Sequence, residues 1–338
     1  MTVLADPHPP ARRQRALFRI LILVAVLTVC AIFLGYQTRG FSDVASAIFS
    51  YDPTSADDVV LRDIRIPRII GALLGGAALG ASGALLQAMT RNPLADPGIL
   101  GVNAGAAVGV VLSIIILGIT NPAQYVWSAL IGCAVTSTLV FLIGGSKNAN
   151  PMRLLIAGAT VMVVSLAAIR AILLLSRQTL DTYRFWVLGG LDGVTYDMVL
   201  ALAPFLVAGA VLTVVCSFWL NALVLGVEMA RGLGLRIWLV QLTTLVAVVL
   251  LCGATVSMAG PVAFVGLISA HIARGFAGGD AKWLVLLSAC LGAALLLGAD
   301  LIGRLAMFGG NMQAGVMSAI IGGPVLIWMV RRQWPTHT

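Results

Sequence analysis

Between Arg236 and the Gly260-Pro261 pair the chain reads Ile237-Trp-Leu-Val-Gln-Leu-Thr-Thr-Leu-Val-Ala-Val-Val-Leu-Leu-Cys-Gly-Ala-Thr-Val-Ser-Met258, with no charged residue. A run of this length and apolarity is what a helix needs to cross ~30 Å of hydrocarbon, where only internal hydrogen bonds satisfy the backbone. Working outward, similar runs lie near 17–36, 66–89, 99–119, 124–144, 153–176, 198–219, 262–273, 283–300 and 314–331. Together they predict an all-α, polytopic membrane protein of about ten crossings. The basic flank Arg12-Arg13-Gln14-Arg15 precedes a first run too long for a secretory signal and without a clear cleavage site, so it reads as an uncleaved span.

Composition excludes the soluble classes. Of 338 residues 60% are apolar and only 10% charged, and mean hydropathy is +1.02; soluble domains carry about 25% charged residues. The net charge of +8 does not imply a nucleic-acid partner, because the basic residues do not gather on one segment. Cys30, Cys133, Cys216, Cys252 and Cys290 each sit alone in an apolar stretch, which suits small buried side chains better than a disulfide or zinc framework.

Loop charges give an orientation. With the N-terminus inside, thirteen Lys and Arg fall in cytoplasmic segments, seven outside and Arg170 within a span. The positive-inside rule then favours both termini in the cytoplasm. A tail of residues 1–16 and a single membrane domain over 17–334 follow. Spans two to five and seven to ten enter the membrane from opposite sides, the arrangement inverted repeats produce. Gly71 and Gly75, Gly76 and Gly80, and Gly101, Gly105 and Gly109 recur every four residues, placing each series on one helix face where another backbone can approach.

The eighth run is different. Only about twelve apolar residues follow Gly260-Pro261 before His271 and Arg274, too few to cross as a helix. A half-helix, or equally a short helix tilted against its neighbours, is expected, with Gly260, Pro261, Phe264, Gly266 and His271 as candidate path-lining residues.

Energy-converting chemistry is missing from the sequence. No phosphate-cradling Gly-x-x-x-x-Gly-Lys-Ser/Thr run occurs, no His/Cys/Asp/Glu cluster suits a bare metal ion, and among the acids only Asp300 lies at the end of a span. A passive path powered from elsewhere is the best reading. An ion-coupled carrier is the alternative, and a membrane enzyme finds no nucleophile–base pair.

Several ordered motifs carry a resemblance. They are Arg65-Ile-Pro-Arg68; Arg91-Asn-Pro-Leu-Ala-Asp-Pro-Gly-Ile-Leu-Gly-Val-Asn-Ala-Gly105; Asn221-Ala-Leu-Val-Leu-Gly-Val-Glu-Met-Ala-Arg-Gly-Leu-Gly234; Gly260-Pro-Val-Ala-Phe-Val-Gly-Leu-Ile-Ser-Ala-His-Ile-Ala-Arg274; Ala299-Asp-Leu-Ile-Gly-Arg304; and Ile321-Gly-Gly-Pro-Val-Leu-Ile-Trp328. From about residue 60 onward the chain resembles the iron-siderophore, haem and vitamin B12 permeases of type II ABC importers. The resemblance implies a ten-helix subunit of the bacterial inner membrane that dimerises around a central path. It also implies an extracytoplasmic binding protein that delivers cargo, and two cytoplasmic ATPase subunits holding ATP and Mg; the chain itself needs no cofactor.

It further implies roles. Arg65, Arg68 and Arg304 match positions that dock acidic residues of the binding protein, which suits a permanently charged, bidentate guanidinium at an exposed mouth. The segment 221–234 resembles the coupling helices seated on the ATPase. In it Gly226, Gly232 and Gly234 break the chain, Glu228 and Arg231 are spaced to pair, and Leu223, Leu225 and Met229 form an apolar surface needing a cover. Asn92-Pro93-Leu94 and Pro151-Met152 fall where the family closes the path on the cytoplasmic side. The turn after span two, with Arg184-Phe-Trp186 and Asp300 to Arg304, looks most like ferric-siderophore permeases of the ferric-enterobactin type, with haem or B12 as alternatives. Two departures, Ala270 in place of a proline and Asn311-Met-Gln-Ala-Gly315 in place of Glu-Leu-Pro-Val-Gly, favour a heterodimer with a second permease chain.

Overall fold

The structure, a computed structural model, describes residues 10–35, 40–119, 121–144, 151–224, 226–305 and 312–333. Helix α1 (Pro10–Phe33) is followed by the short α2 (Phe41–Phe49) and α3 (Ala56–Val59). A π-helical turn, Val60–Arg65, joins α3 without a break to α4 (Ile66–Thr90). Then come α5 (Val102–Leu117), α6 (Pro122–Gly144), α7 (Pro151–Leu175), α8 (Arg177–Val187), α9 (Tyr196–Val224) and α10 (Val227–Gly232). The chain finishes with α11 (Ile237–Ala259), α12 (Val265–Ala277), α13 (Ala281–Leu305) and α14 (Ala314–Gln333), and no strand occurs among the described residues.

Seven of these helices are long and apolar enough to span a membrane, those containing α1, α4, α6, α7, α9, α11 and α13; α5, α12 and α14 are shorter apolar helices. Each of the ten expected apolar runs is therefore helical. Helix α1 starts at Pro10, where proline's missing N–H is harmless. The basic Arg12 to Arg15 segment is part of this helix, and residues 1–9 lie outside the described residues.

Polar contacts define two ends of the bundle. At one, Arg13 at the start of α1 pairs with Asp280 ahead of α13 at 3.6 Å, and Asn221 near the end of α9 donates to Asp280 at 3.0 Å. At the other, Arg65 donates to the Ile32 carbonyl at 2.7 Å, and the Gly315 N–H at the start of α14 donates to Gly189 O at 2.7 Å. Since α14 begins at this second end, both described chain ends lie at the first, called here the terminal end.

Helix α4 is the axle of the fold. It is buried along most of its length and touches α9, α11, α12 and α13. Its glycines explain why. A Cβ at Gly76 would overlap the Gly292 carbonyl, one at Gly80 the Ser288 carbonyl, and one at Gly83 the Gly266 carbonyl, so α13 and α12 lie against bare backbone. Gly105 and Gly109 do the same for α5 against Gly132 and Ser128 of α6. The expected glycine faces thus serve packing within this chain. Gly101 does not share that role, because its φ of +77° makes it a left-handed turn residue ahead of α5.

The packing repeats itself in inverted order. Helices α4 to α7 and α11 to α14 make corresponding neighbours: α4 with α13 and α11 with α6, α5 with α6 and α12 with α13, α4 with α12 and α11 with α5. Because α4 and α11 run in opposite directions, this is the pseudo-twofold arrangement of inverted repeats.

Candidate functional site

At the end away from the termini, α1, α4, α13 and the loop after α8 converge on a charged cluster. Arg68, in the first turn of α4, donates from Nε to Asp300 Oδ1 at 2.8 Å and from Nη1 to Asp192 Oδ1. Arg304 Nε lies 3.1 Å from Asp300 Oδ2 as an i,i+4 ion pair, and its Nη1 donates to the Ala31 carbonyl at 3.3 Å. Two cations and two carboxylates leave the cluster neutral. Asp300 is 0% exposed and Arg65, Arg68 and Arg304 are 8%, 5% and 9% exposed, whereas the Asp192 side chain is 40% exposed.

This corrects the expected exposure of the three arginines. They lie at the end away from the termini, and each is bound internally to a carboxylate or carbonyl, because an unpaired guanidinium at this depth would cost several kcal/mol. Asp192 was not singled out in the sequence, since its partner lies 124 residues away in the chain.

Beside the cluster is a cavity of ≈ 450 Å³, lined by Tyr125, Phe185 and Trp186 together with Asp181, Asp192 and Gln313. Helix α8, capped by Ser176 through the Thr179 N–H at 3.2 Å, sets one wall. The buried Trp186 Nε1 and Gln313 Oε1 have no partner among the described residues, one a donor and the other an acceptor. Aromatic walls with a few convergent polar groups are the usual make-up of a small-molecule contact site. Neither Tyr125 nor Gln313 carries a local sequence signal for this role.

The broken crossing is present. Helix α12 is 13 residues long, about 20 Å at 1.5 Å per residue, and the chain from Gly260 to Phe264 ahead of it is not helical. Gly260 (φ +70°) lets the chain turn beneath the Trp186 carbonyl and lines the cavity with Met258 and Ala259. Phe264 holds a left-handed φ of +68°, which costs a non-glycine residue about 1–2 kcal/mol. Its carbonyl accepts from the Ile268 N–H at 2.9 Å to start α12, and its ring rests on Gly322 of α14. Pro261 and His271 are half-buried, and His271 Nδ1 has no partner among the described residues. Gly266 departs from the expected lining role, because it faces Leu79 and Gly83 of α4 and serves helix packing. Ala270 is fully buried in mid-α12, where it continues the helix that a proline would interrupt.

At the terminal end the expected coupling segment forms an elbow. Gly226 (φ +117°) and Gly234 (φ +82°) take backbone conformations that suit glycine and bracket α10, which ends at Gly232. Glu228 and Arg231 pair at 3.0 Å on its exposed face. Met229 and Leu233 are 56% and 64% exposed. Leu233, four residues beyond Met229, extends the apolar face and was missed in the sequence. Leu223 is corrected: its side chain is buried and its carbonyl accepts from Arg91. Leu225 lies outside the described residues.

Asn92 folds its turn by accepting from the Leu94 N–H at 2.9 Å through Oδ1, leaving Pro93 and Leu94 partly buried at the terminal end. Pro151 opens α7, while the side chains of Pro151 and Met152 lie outside the described residues.

Ten apolar helices, one of them preceded by a break, packed around a glycine-lined central helix define a polytopic all-α membrane protein. The chain belongs to the FecCD transport family, whose pattern matches residues 22–332. It is 39% identical to the ferric enterobactin transport system permease protein FepD of Escherichia coli, covering 93% of this chain and 94% of that one. It is 34% identical to the vitamin B12 import system permease protein BtuC of Klebsiella pneumoniae, covering 98% of each. A solved metal-chelate type ABC transporter in an inward-facing conformation superposes with a TM-score of 0.80 at 25% identity, covering 94% of this chain and 99% of that one. The resemblance drawn from the motifs and the helical fold expected from hydropathy both hold. Such permease subunits are not themselves catalytic.

Proposed function

We propose that this chain is the membrane subunit of an ATP-driven importer that passes a ferric siderophore across a bacterial cytoplasmic membrane, with both termini in the cytoplasm. Supporting this reading are the family membership and the exposed elbow at α10, which presents apolar and charged side chains to the outside. The elbow then faces two ATPase subunits, which bind ATP and Mg, and the cluster around Arg68 faces a cargo-delivering binding protein. A second, different permease chain completes the path, in keeping with the departure at Asn311 to Gly315. The relatives that carry siderophores favour that cargo; haem and vitamin B12 are the runners-up, the latter supported by the B12 relative.

The deciding experiment is reconstitution in vesicles with candidate ATPase and binding-protein subunits. Uptake of ferric siderophore is expected to stop when ATP hydrolysis is blocked; uptake persisting on an ion gradient alone would reject the reading in favour of an ion-coupled carrier.

Docking through Arg68 takes a specific form. A carboxylate of the binding protein competes with the half-exposed Asp192, while Asp300 remains in place and Arg65 and Arg304 hold α1 to the mouth. Asp192→Ala is therefore expected to raise binding-protein affinity at low salt by roughly fivefold, the upper end for an exposed ion pair. Unchanged affinity in a binding assay on the reconstituted permease would leave all three arginines with a purely structural role.

A further inference from the structure

At the terminal end, away from the mouth, a second cavity of ≈ 290 Å³ opens between the end of α4, the last turn of α12 and the start of α13. Two arginines line it. Arg274 donates from Nη2 to Gln87 Oε1 at 3.0 Å, and its buried Nε has no partner among the described residues. Arg91, in a left-handed conformation (φ +52°) just past α4, donates from Nη2 to the Leu223 carbonyl. Neither guanidinium has a carboxylate partner among the described residues. The one acid at the rim, Asp280, is engaged elsewhere: it accepts from Asn221 Nδ2 at 3.0 Å and the Lys282 N–H at 2.9 Å, and it pairs with Arg13 at 3.6 Å.

Gln87 makes this arrangement costly to keep without a purpose. It is 0% exposed, and its Nε2 donates to the Leu267 carbonyl at 3.3 Å, so its Oε1 is presented toward Arg274 and holds that cation at the cavity wall. A neutral amide orients a guanidinium without cancelling its charge. Positive potential in a partly desolvated cleft is therefore left uncompensated, which favours a ligand with negative oxygens.

We propose that this cavity binds the phosphate of an anionic phospholipid headgroup, Arg91 and Arg274 gripping its oxygens. The location supplies the source of the phosphate. The cavity lies where α4 ends and α13 begins, the level at which hydrocarbon gives way to headgroups. Its neighbours are interfacial in character: Lys282 Nζ sits 3.7 Å over the Phe218 ring, and Trp283 is half-buried beside it. Leu284 and Ala88 give the wall an apolar part suited to the glycerol side of a lipid. A lipid held here ties the half-helix α12 to Arg91, and through the Leu223 carbonyl to the chain entering the elbow.

The test uses the purified full chain in neutral detergent, titrated with mixed micelles containing phosphatidylglycerol or phosphatidylcholine, with inorganic phosphate as a separate arm. Native mass spectrometry reads lipid retention and thermal unfolding reads stabilisation. Phosphatidylglycerol is expected to be retained selectively. Arg91→Gln or Arg274→Gln should weaken retention roughly fivefold each and the pair roughly thirtyfold. Arg274→Lys keeps the charge if the glutamine variants fail to fold and should retain most of the binding; Arg236→Gln, outside the cavity at the same end, should leave it unchanged. Equal retention of phosphatidylcholine, unchanged retention in the Arg91 and Arg274 variants, or full stabilisation by inorganic phosphate alone would each overturn the proposal.

Discussion

Asp300→Asn is expected to destabilise the folded protein by about 3–5 kcal/mol, the range for breaking a buried ion pair from one side. Asp300 is 0% exposed and is the common partner of Arg68 at 2.8 Å and Arg304 at 3.1 Å. The asparagine keeps the shape but removes the charge, leaving two largely buried guanidiniums facing each other with only Asp192 nearby. Thermal unfolding in detergent measures the effect. Adding Arg68→Gln to the same chain removes one of the uncompensated charges, so the double variant should lose less than the sum of the two singles. A loss below about 1 kcal/mol for Asp300→Asn would mean that water reaches the cluster freely. Charge reversal at Arg65 and Arg68 is expected, by the same reasoning, to unfold this end of the bundle.

Gly80→Val should be equally damaging for a different reason. The valine Cβ would overlap the Ser288 carbonyl of α13, and backbone cannot move aside as a flexible side chain can. Helices α4 and α13 would have to separate along their whole glycine-lined contact, and a loss of about 3 kcal/mol or failure to assemble is expected. Gly275→Ala in α12 is the matched control, because nothing lies within 4 Å of its added methyl. It should stay within about 0.5 kcal/mol of the parent. Size-exclusion profiles and melting curves of the two variants, prepared side by side, separate a specific clash from a general intolerance of larger residues.

How far the sequence could be read depended on how local the responsible forces are. Span positions were legible because hydrocarbon imposes a length and a polarity on each helix independently, so Ile237–Ala259 announces itself without reference to any other segment. The half-helix at Val265–Ala277 was legible for the same reason: Gly260-Pro261 and His271 bound a run too short to cross. The elbow at α10 showed through its glycines, although Leu223 turned out to point inward and Leu233 to complete the exposed face. The short spacing of Arg65 and Arg68 suggested a joint role, yet the first bonds to α1 and the second to α13 and the loop after α8.

The order of crossings, their even number, the broken eighth and the lack of a phosphate-cradling motif were therefore determined by the amino-acid sequence alone, because each depends on the chemistry of one contiguous segment against lipid or water. Which charges are exposed was decided only by the tertiary structure. Asp300 stands 232 residues from Arg68 and becomes its partner when glycine faces bring α4 and α13 into backbone contact. Electrostatic pairing falls off with distance in space, not along the chain, so the neutral cluster at one end and the two arginines without carboxylate partners among the described residues at the other emerge only once the helices are packed.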